Sequence, residues 1–330
     1  MNKLLSAFAG KRVLITGGLG FIGSAIARRL ASVAEITLVD SLIPEYGGNM
    51  ANIRGIEDRV HVNISDVRDP HSMRYLVQDV DVVFNMAGQT SHMDSMADPY
   101  ADLDINAHAQ LSILEALRHY NPNAKIVFAS TRQLYGRPEY LPVDEKHPVR
   151  PVDVNGINKA AGEQYHLLYH EVYGIPACVL RLTNTYGPGM RIKDARQTFV
   201  GIWIRCMLEG KPFEVWGGEQ LRDFNYVDDV VDAFLMAAVN DKANGGVFNL
   251  GSGEVVSLKA LAEILVSANA GIGQFAVKSF PEARKKIDIG DYYSDFSLIR
   301  NTLNWQPNVS LSEGLRSTLT YYREQMAGYL

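Results

Sequence analysis

Eight residues near the amino terminus, Thr16-Gly17-Gly18-Leu19-Gly20-Phe21-Ile22-Gly23, restrict the fold more than any other feature of the chain. They follow a short β-branched apolar run, Arg12 to Thr16. They open a stretch, Phe21 to Ala31, in which apolar residues recur at helical spacing. Glycine at 17, 20 and 23 permits a tight strand-to-helix turn, close approach of backbone to a pyrophosphate, and close packing of helix on strand. The free N–H groups and partial positive charge of the helix amino terminus then face the phosphates. The next strand-like run, Glu35 to Val39, ends at Asp40. That carboxylate can accept two ribose hydroxyls and repels a 2′-phosphate, so NAD is expected rather than NADP.

The same alternation continues along the chain. Val60 to Ile64, Val80 to Met86, Lys125 to Ser130 and Ala177 to Leu182 read as strands. Ile105 to Tyr120 and Asn155 to Tyr173 read as helices. Strands separated by helices imply parallel pairing through right-handed crossovers. The expected class is α/β: a doubly wound Rossmann-type parallel sheet with a smaller α/β substrate domain. After Asn184 turn signals multiply, at Gly187-Pro188-Gly189, Pro212 and Gly217-Gly218. Helical runs follow at Val227 to Asn240, Leu258 to Ala270 and Leu311 to Met326. Residues 1–183, with 223–250 returning, are assigned to the NAD-binding domain, and 184–222 with 251–330 to the substrate domain. A length of 330 residues suits that division at about 150 residues per domain.

Composition excludes several classes. Hydrophobic residues at 47% and charged residues at 21% rule out a disordered, collagen-like or coiled-coil chain. A net charge of −5, from 32 basic and 37 acidic residues, gives no footprint for nucleic acid. Two cysteines, Cys178 and Cys206, make neither a disulfide framework nor a zinc site. The apolar stretch Leu4 to Ala9 is too short for a secretory signal, and no run reaches the roughly 18 apolar residues of a membrane span. A cytoplasmic protein with no membrane partner is expected. His166 and His170 stand four apart on a helix, but no third ligand accompanies them, so no metal is expected.

Further motifs carry a resemblance. Asp66 follows the third strand, and Ser130-Thr131 precede Leu134-Tyr135-Gly136. Asn184-Thr185-Tyr186-Gly187-Pro188, Arg222-Asp223-Phe224-Asn225-Tyr226-Val227-Asp228-Asp229-Val230 and Asn304-Trp305-Gln306-Pro307 come in the expected order. Together with the glycine turn they resemble the extended short-chain dehydrogenase/reductase family, whose members act mostly on nucleotide-linked sugars. The resemblance implies that Gly17, Gly20, Phe21, Ile22 and Gly23 lie against the pyrophosphate and that Asp40 holds adenosine ribose. Asp66 and Val67 would hold adenine, Ala87 and Gly88 would line the cofactor, and Lys159 would hold the nicotinamide ribose. Thr131 matches the residue that hydrogen-bonds the reacting sugar oxygen. Asn184 and Arg222 match positions that grip the sugar-nucleotide diphosphate, with His92, Arg191, Arg196 and Lys285 as further substrate contacts. A homodimer through the Ile105 and Asn155 helices is implied as well.

One departure bears on the chemistry. Family members carry a tyrosine four residues before the lysine, on the same helix face. This chain reads Asn155-Gly156-Ile157-Asn158-Lys159, and an amide does not titrate near neutrality. Another base can serve (Lys159, a water held by Asn155, Tyr135, His92 or Asp153). Otherwise the protein binds without turnover, or the chain is a silenced variant of a tyrosine enzyme. Arg132 and Gln133 stand where family dehydratases carry an acidic pair, and decarboxylases usually keep an acid there too. The expected reaction is therefore epimerisation, at C4 through a transient keto-sugar. Dehydration, decarboxylation and reduction by the same fold are the alternatives. Arg132 itself has two readings, a contact to a uronic acid carboxylate or a salt bridge at a strand end.

Overall fold

The computed structural model describes residues 3–330, with side chains throughout except at 283 and 284. Its strands are β1 (Arg12–Thr16), β2 (Glu35–Asp40), β3 (Val60–Ile64), β4 (Val82–Asn85), β5 (Lys125–Thr131) and β6 (Ala177–Leu182). After them come β7 (Asn184–Tyr186), β8 (Phe213–Trp216), β9 (Leu221–Tyr226), β10 (Val247–Asn249), β11 (Val255–Ser257) and β12 (Phe275–Lys278). Seven of these form one parallel sheet in the order β10-β6-β5-β4-β1-β2-β3. β10 joins it in parallel beside β6.

Alternation along the central strands explains the two faces. Val13 and Ile15 of β1, Val82 and Phe84 of β4, and Val127 and Ala129 of β5 enter one core. Leu14, Val83 and Ile126, the residues between them, enter the other. Successive side chains on a strand point to opposite faces, and both faces are covered by helices. Helices Phe21–Leu30 and Val227–Val239 cover the first face through Ile26, Leu30, Val230 and Phe234. Helices Pro70–Leu76, Ala109–Tyr120 and Val154–Tyr173 cover the second through Met73, Ile113, Leu117 and Tyr169. Phe8, from the short apolar amino-terminal stretch, is fully buried, with its ring 6.3 Å from that of Phe84. That stretch is therefore a core anchor.

Two expected elements differ in extent. The run Val80 to Met86 pairs as strand only over Val82–Asn85, because the Val80 carbonyl is taken by Asn121 Nδ2 at 2.8 Å in the preceding turn. The run Ile105 to Tyr120 begins as a π-turn, Asp104–His108, and becomes α-helical only from Ala109. π-turns inside helices occur often at functional sites.

The remaining strands form two small sheets, β11-β9-β7 and β12-β8. Among the described residues no helix is long and apolar enough to cross a membrane.

Candidate active site

The strand order reverses beside β1, whose neighbours are β2 on one side and β4 on the other. Crevices of open parallel sheets form beyond the carboxyl ends of the strands at such a point. Here the Thr16 hydroxyl ties the two diverging strands together. It donates to Asn85 Oδ1 at 2.8 Å and accepts from the Ala87 N–H at 3.1 Å. A cavity of about 860 Å³ opens above this junction, with Gly17, Gly20, Phe21, Ile22 and Gly23 in its wall. Gly17 sits at φ +62°, and a Cβ on Gly23 would lie 2.3 Å from the Gly17 carbonyl oxygen. Only glycine fits that packing.

Asp40 ends β2 in the same wall. Its two oxygens accept the backbone N–H groups of Leu19 (3.1 Å) and Leu42 (2.9 Å), each keeping capacity for a further donor. Burial raises its pKa, against the pull of those two bonds. Asp66, Val67, Ala87 and Gly88 line the cavity beside it. Asp66 is clasped by Arg68, with contacts of 3.0 and 2.6 Å, which hold its pKa below the usual carboxylate value. A glycine turn, an acid at the end of the second strand and a second acid after the third form a cradle that fits NAD.

Thr131, Asn155 and Lys159 meet in another part of the same cavity. Asp153 caps the helix Val154–Tyr173 through Gly156 N–H at 2.7 Å, which fixes where Asn155 and Lys159 project. Lys159 Nζ donates to the Ala129 carbonyl at 3.1 Å and stands 5.0 Å from the Phe128 ring centre. A Cβ on Gly88 would come within 2.8 Å of that Nζ, so Gly88 leaves room for the lysine. Burial depresses the lysine pKa to about 8, with Asp102 pulling in the opposite direction.

Asp102 was not foreseen. It is fully buried and accepts from Asn155 Nδ2 (3.1 Å) and Asn158 Nδ2 (2.8 Å). Asn155 Nδ2 also donates to the Gln89 carbonyl at 2.8 Å. Both partners are acceptors, so the amide nitrogen must face them. The Asn155 oxygen is then the atom left for the cavity. Asp102, Asn106 and Gln110 recur at spacing four and are all fully buried. That polar stripe is the signal in the sequence.

Two candidate bases fall away. The Tyr135 hydroxyl is buried outside the cavity wall, donates to Asn249 Oδ1 at 2.6 Å, and accepts from Arg181 at 2.6 Å. Burial pushes its pKa up to about 12. The Asp153 carboxylate is engaged by Gly156 N–H, by Gln133 Nε2 at 2.7 Å and by His92 Nδ1 at 3.0 Å. Burial works against its charge, but His92 holds its pKa below the usual value. His92 itself lines the cavity.

Of the expected substrate contacts, Arg132, Asn184, Arg196 and Arg222 line the cavity with His92. Arg196 Nε lies 3.0 Å from Asp94. Arg222 is buried, donates to the carbonyls of Leu221 (2.9 Å) and Gly290, and sits 3.4 Å from Asp288. Burial, with Arg132 nearby, lowers its pKa to about 10. Arg191 and Lys285 stand outside the wall. Arg191 is spent on Asp194 (2.8 Å) and the Pro44 carbonyl (2.8 Å), and Lys285 pairs with Glu282 at 2.9 Å. Phe199, Trp203, Phe213 and Trp216 complete an aromatic part of the wall. No cluster of metal-ligating side chains occurs among the described residues.

Comparison with known proteins gives the same picture. UDP-glucose 4-epimerase of Mycolicibacterium smegmatis is 30% identical over 319 residues, 95% of this chain and 99% of the relative. UDP-glucuronic acid decarboxylase 1 of Xenopus tropicalis is 31% identical over 98% of this chain and 75% of its own. The crystal structure of UDP-glucose 4-epimerase with UDP-glucose from Thermotoga maritima superposes with a TM-score of 0.87 at 29% identity, over 96% of this chain and 99% of that one. The sequence profile of one enzyme family spans residues 13–251, from β1 and its glycine turn to the strand that rejoins the main sheet. With that span, the NAD-shaped cradle and these relatives, the chain belongs to the NAD dependent epimerase/dehydratase family.

Proposed function

We propose that this chain is an NAD-dependent nucleotide-sugar epimerase acting at C4, in carbohydrate biosynthesis. One observation carries the reading. A single cavity joins the cofactor cradle to Thr131, Asn155 and Lys159 and to the cationic pair Arg132 and Arg222. Residues 1–183 with 223–250 serve as the cofactor-binding part, and 184–222 with 251–330 as the substrate-binding part. Asn184 and Arg222 grip the diphosphate. NAD, when bound, supplies the hydride acceptor and returns the hydride. Thr131 donates a hydrogen bond to the reacting oxygen, and Asn155 turns its amide oxygen toward the sugar as a hydrogen-bond acceptor. Lys159 Nζ is the proton acceptor, and its depressed pKa leaves a working fraction of neutral amine near neutrality. Epimerisation is favoured over dehydration because Gln133, at one acidic position of the dehydratases, is engaged by Asp153. The other position holds a guanidinium, which cannot deliver a proton.

The protein is read as a cytoplasmic homodimer. Tyr100, Leu103, Ile157, Leu168 and Val172 expose apolar side chains on the helices Pro99–Leu103 and Val154–Tyr173. Such a face suits a symmetric helical interface. The test is incubation of the NAD-loaded protein with a panel of nucleotide sugars and NMR of the anomeric region. Appearance of the C4 epimer supports the reading. A 4-keto-6-deoxy product, a pentose, or binding with no product refutes it.

A further inference from the structure

Of the two expectations for Arg132, a carboxylate contact and a strand-end salt bridge, the structure removes the second. It lines the cavity immediately after Thr131, at the carboxyl end of β5. Its Nη2 donates to Asn184 Oδ1 at 2.8 Å, and its guanidinium carbon stands 5.4 Å from the Tyr292 ring centre. Among the described residues no carboxylate oxygen lies within 4.0 Å of it. The expected strand-end salt bridge is therefore not formed. The acids around it are engaged elsewhere: Asp223 by Thr183 and the Ser294 N–H, Asp153 by Gln133 and Gly156 N–H, Asp288 by the Gly290 N–H and, at 3.4 Å, by Arg222. Among the described residues, one of its five N–H donors is engaged.

A half-buried guanidinium turned into the cavity without a paired carboxylate leaves a ligand to supply the counter-charge. Arg132 stands close enough to Arg222 to help lower the pKa of Arg222. Two cations therefore face one cavity, and a diphosphate accounts for Arg222, which the family motif assigns to it. The second cation is one residue from Thr131, and consecutive Cα atoms are about 3.8 Å apart. If Thr131 holds the C4 oxygen, the groups nearest to Arg132 are the substituents on the neighbouring carbons C3 and C5, and of these only the C5 substituent can carry a negative charge, as a C6 carboxylate. The planar fork of arginine matches a carboxylate in two-point contact.

We infer that Arg132 is a carboxylate-recognition residue and that the substrate class is a nucleotide-linked uronic acid. This rests on the nucleotide-sugar reading of the cavity. It assigns the chain to a step downstream of a reaction that oxidises the C6 hydroxyl of a nucleotide hexose to an acid.

The test begins with calorimetric titration of the NAD-loaded protein by UDP, CDP, GDP, ADP and dTDP. The glucuronate and glucose conjugates of the best-bound nucleotide are then compared on the wild type, Arg132→Met and Arg132→Lys. The wild type should bind the uronate at least about tenfold more tightly than the neutral sugar. Arg132→Met should lose ~10- to 100-fold on the uronate and less than about threefold on the neutral sugar and the bare nucleotide. Arg132→Lys, which keeps charge without the fork, should fall between. Equal loss on uronate, neutral sugar and bare nucleotide would show a diphosphate grip and overturn the inference, as would no uronate preference in the wild type. If no nucleotide binds at all, the nucleotide-sugar reading fails and takes this inference with it. Should Arg132→Met fail to fold, as judged by loss of NAD binding, the wild-type comparison decides.

Discussion

Lys159 is held in a place that costs the fold stability, and replacing it should reveal the cost. The residue is only 6% exposed, its pKa falls from an ordinary 10.5 to about 8, and burial is the chief cause. That depression corresponds to roughly 3 kcal/mol against the folded state at neutral pH. Lys159→Met removes it. The variant also loses the bond to the Ala129 carbonyl and the contact with the Phe128 ring, together about 1–2 kcal/mol. Net stabilisation of about 1–2 kcal/mol at pH 7 is expected, with turnover abolished. The sign of the pH dependence follows from proton counting. Below pH 8 folded and unfolded chains both hold the proton, so the penalty is constant. Between pH 8 and 10.5 the unfolded chain holds it and the folded chain does not, so wild-type stability rises with pH. The variant lacks that rise, and its advantage shrinks and reverses across the window. Urea denaturation of both proteins from pH 7 to 10 measures this. A variant less stable than wild type at pH 7, or a difference that stays flat above pH 8, would refute the argument.

Three further outcomes are expected. Gly23→Ala places a Cβ 2.3 Å from the Gly17 oxygen, so the turn must shift and NAD affinity should fall at least about tenfold by calorimetry. Asp40→Asn removes the charge that repels a 2′-phosphate, and the NAD-to-NADP affinity ratio, read by fluorescence titration, should drop by about tenfold or more. Glu163→Gln leaves the Arg181 guanidinium buried without its carboxylate, and thermal or urea unfolding should show a loss of about 3–5 kcal/mol.

Much of this molecule could be read from its residues because the physics there is local. β1 and β6 occupy the residues expected of them because each is a short, mostly apolar run, and β3 does so on the alternation of Val60, Val62 and Ile64 with polar residues. The cofactor cradle was equally legible, because a glycine turn and a strand-end acid state their chemistry in sequence. The sugar end was not. Arg191 and Lys285 looked like free cations, yet each has an acid three residues away, Asp194 and Glu282, that claims it. Asp102 was hidden because a polar stripe on a helix ordinarily marks the solvated face. Here the stripe turns inward, toward Asn155 and Asn158, and only the packing of two helices brings those residues together. The orientation of the Asn155 amide follows from that contact and from nothing nearer in the chain.

The most direct test of the account follows one hydrogen. A nucleotide sugar deuterated at C4 is incubated with the NAD-loaded protein, and the product is examined by proton and deuterium NMR. Transient oxidation at C4 with return of the same hydride predicts an epimer that still carries the label at C4. Label washed into solvent, label found at C6, or no epimer at all would contradict it.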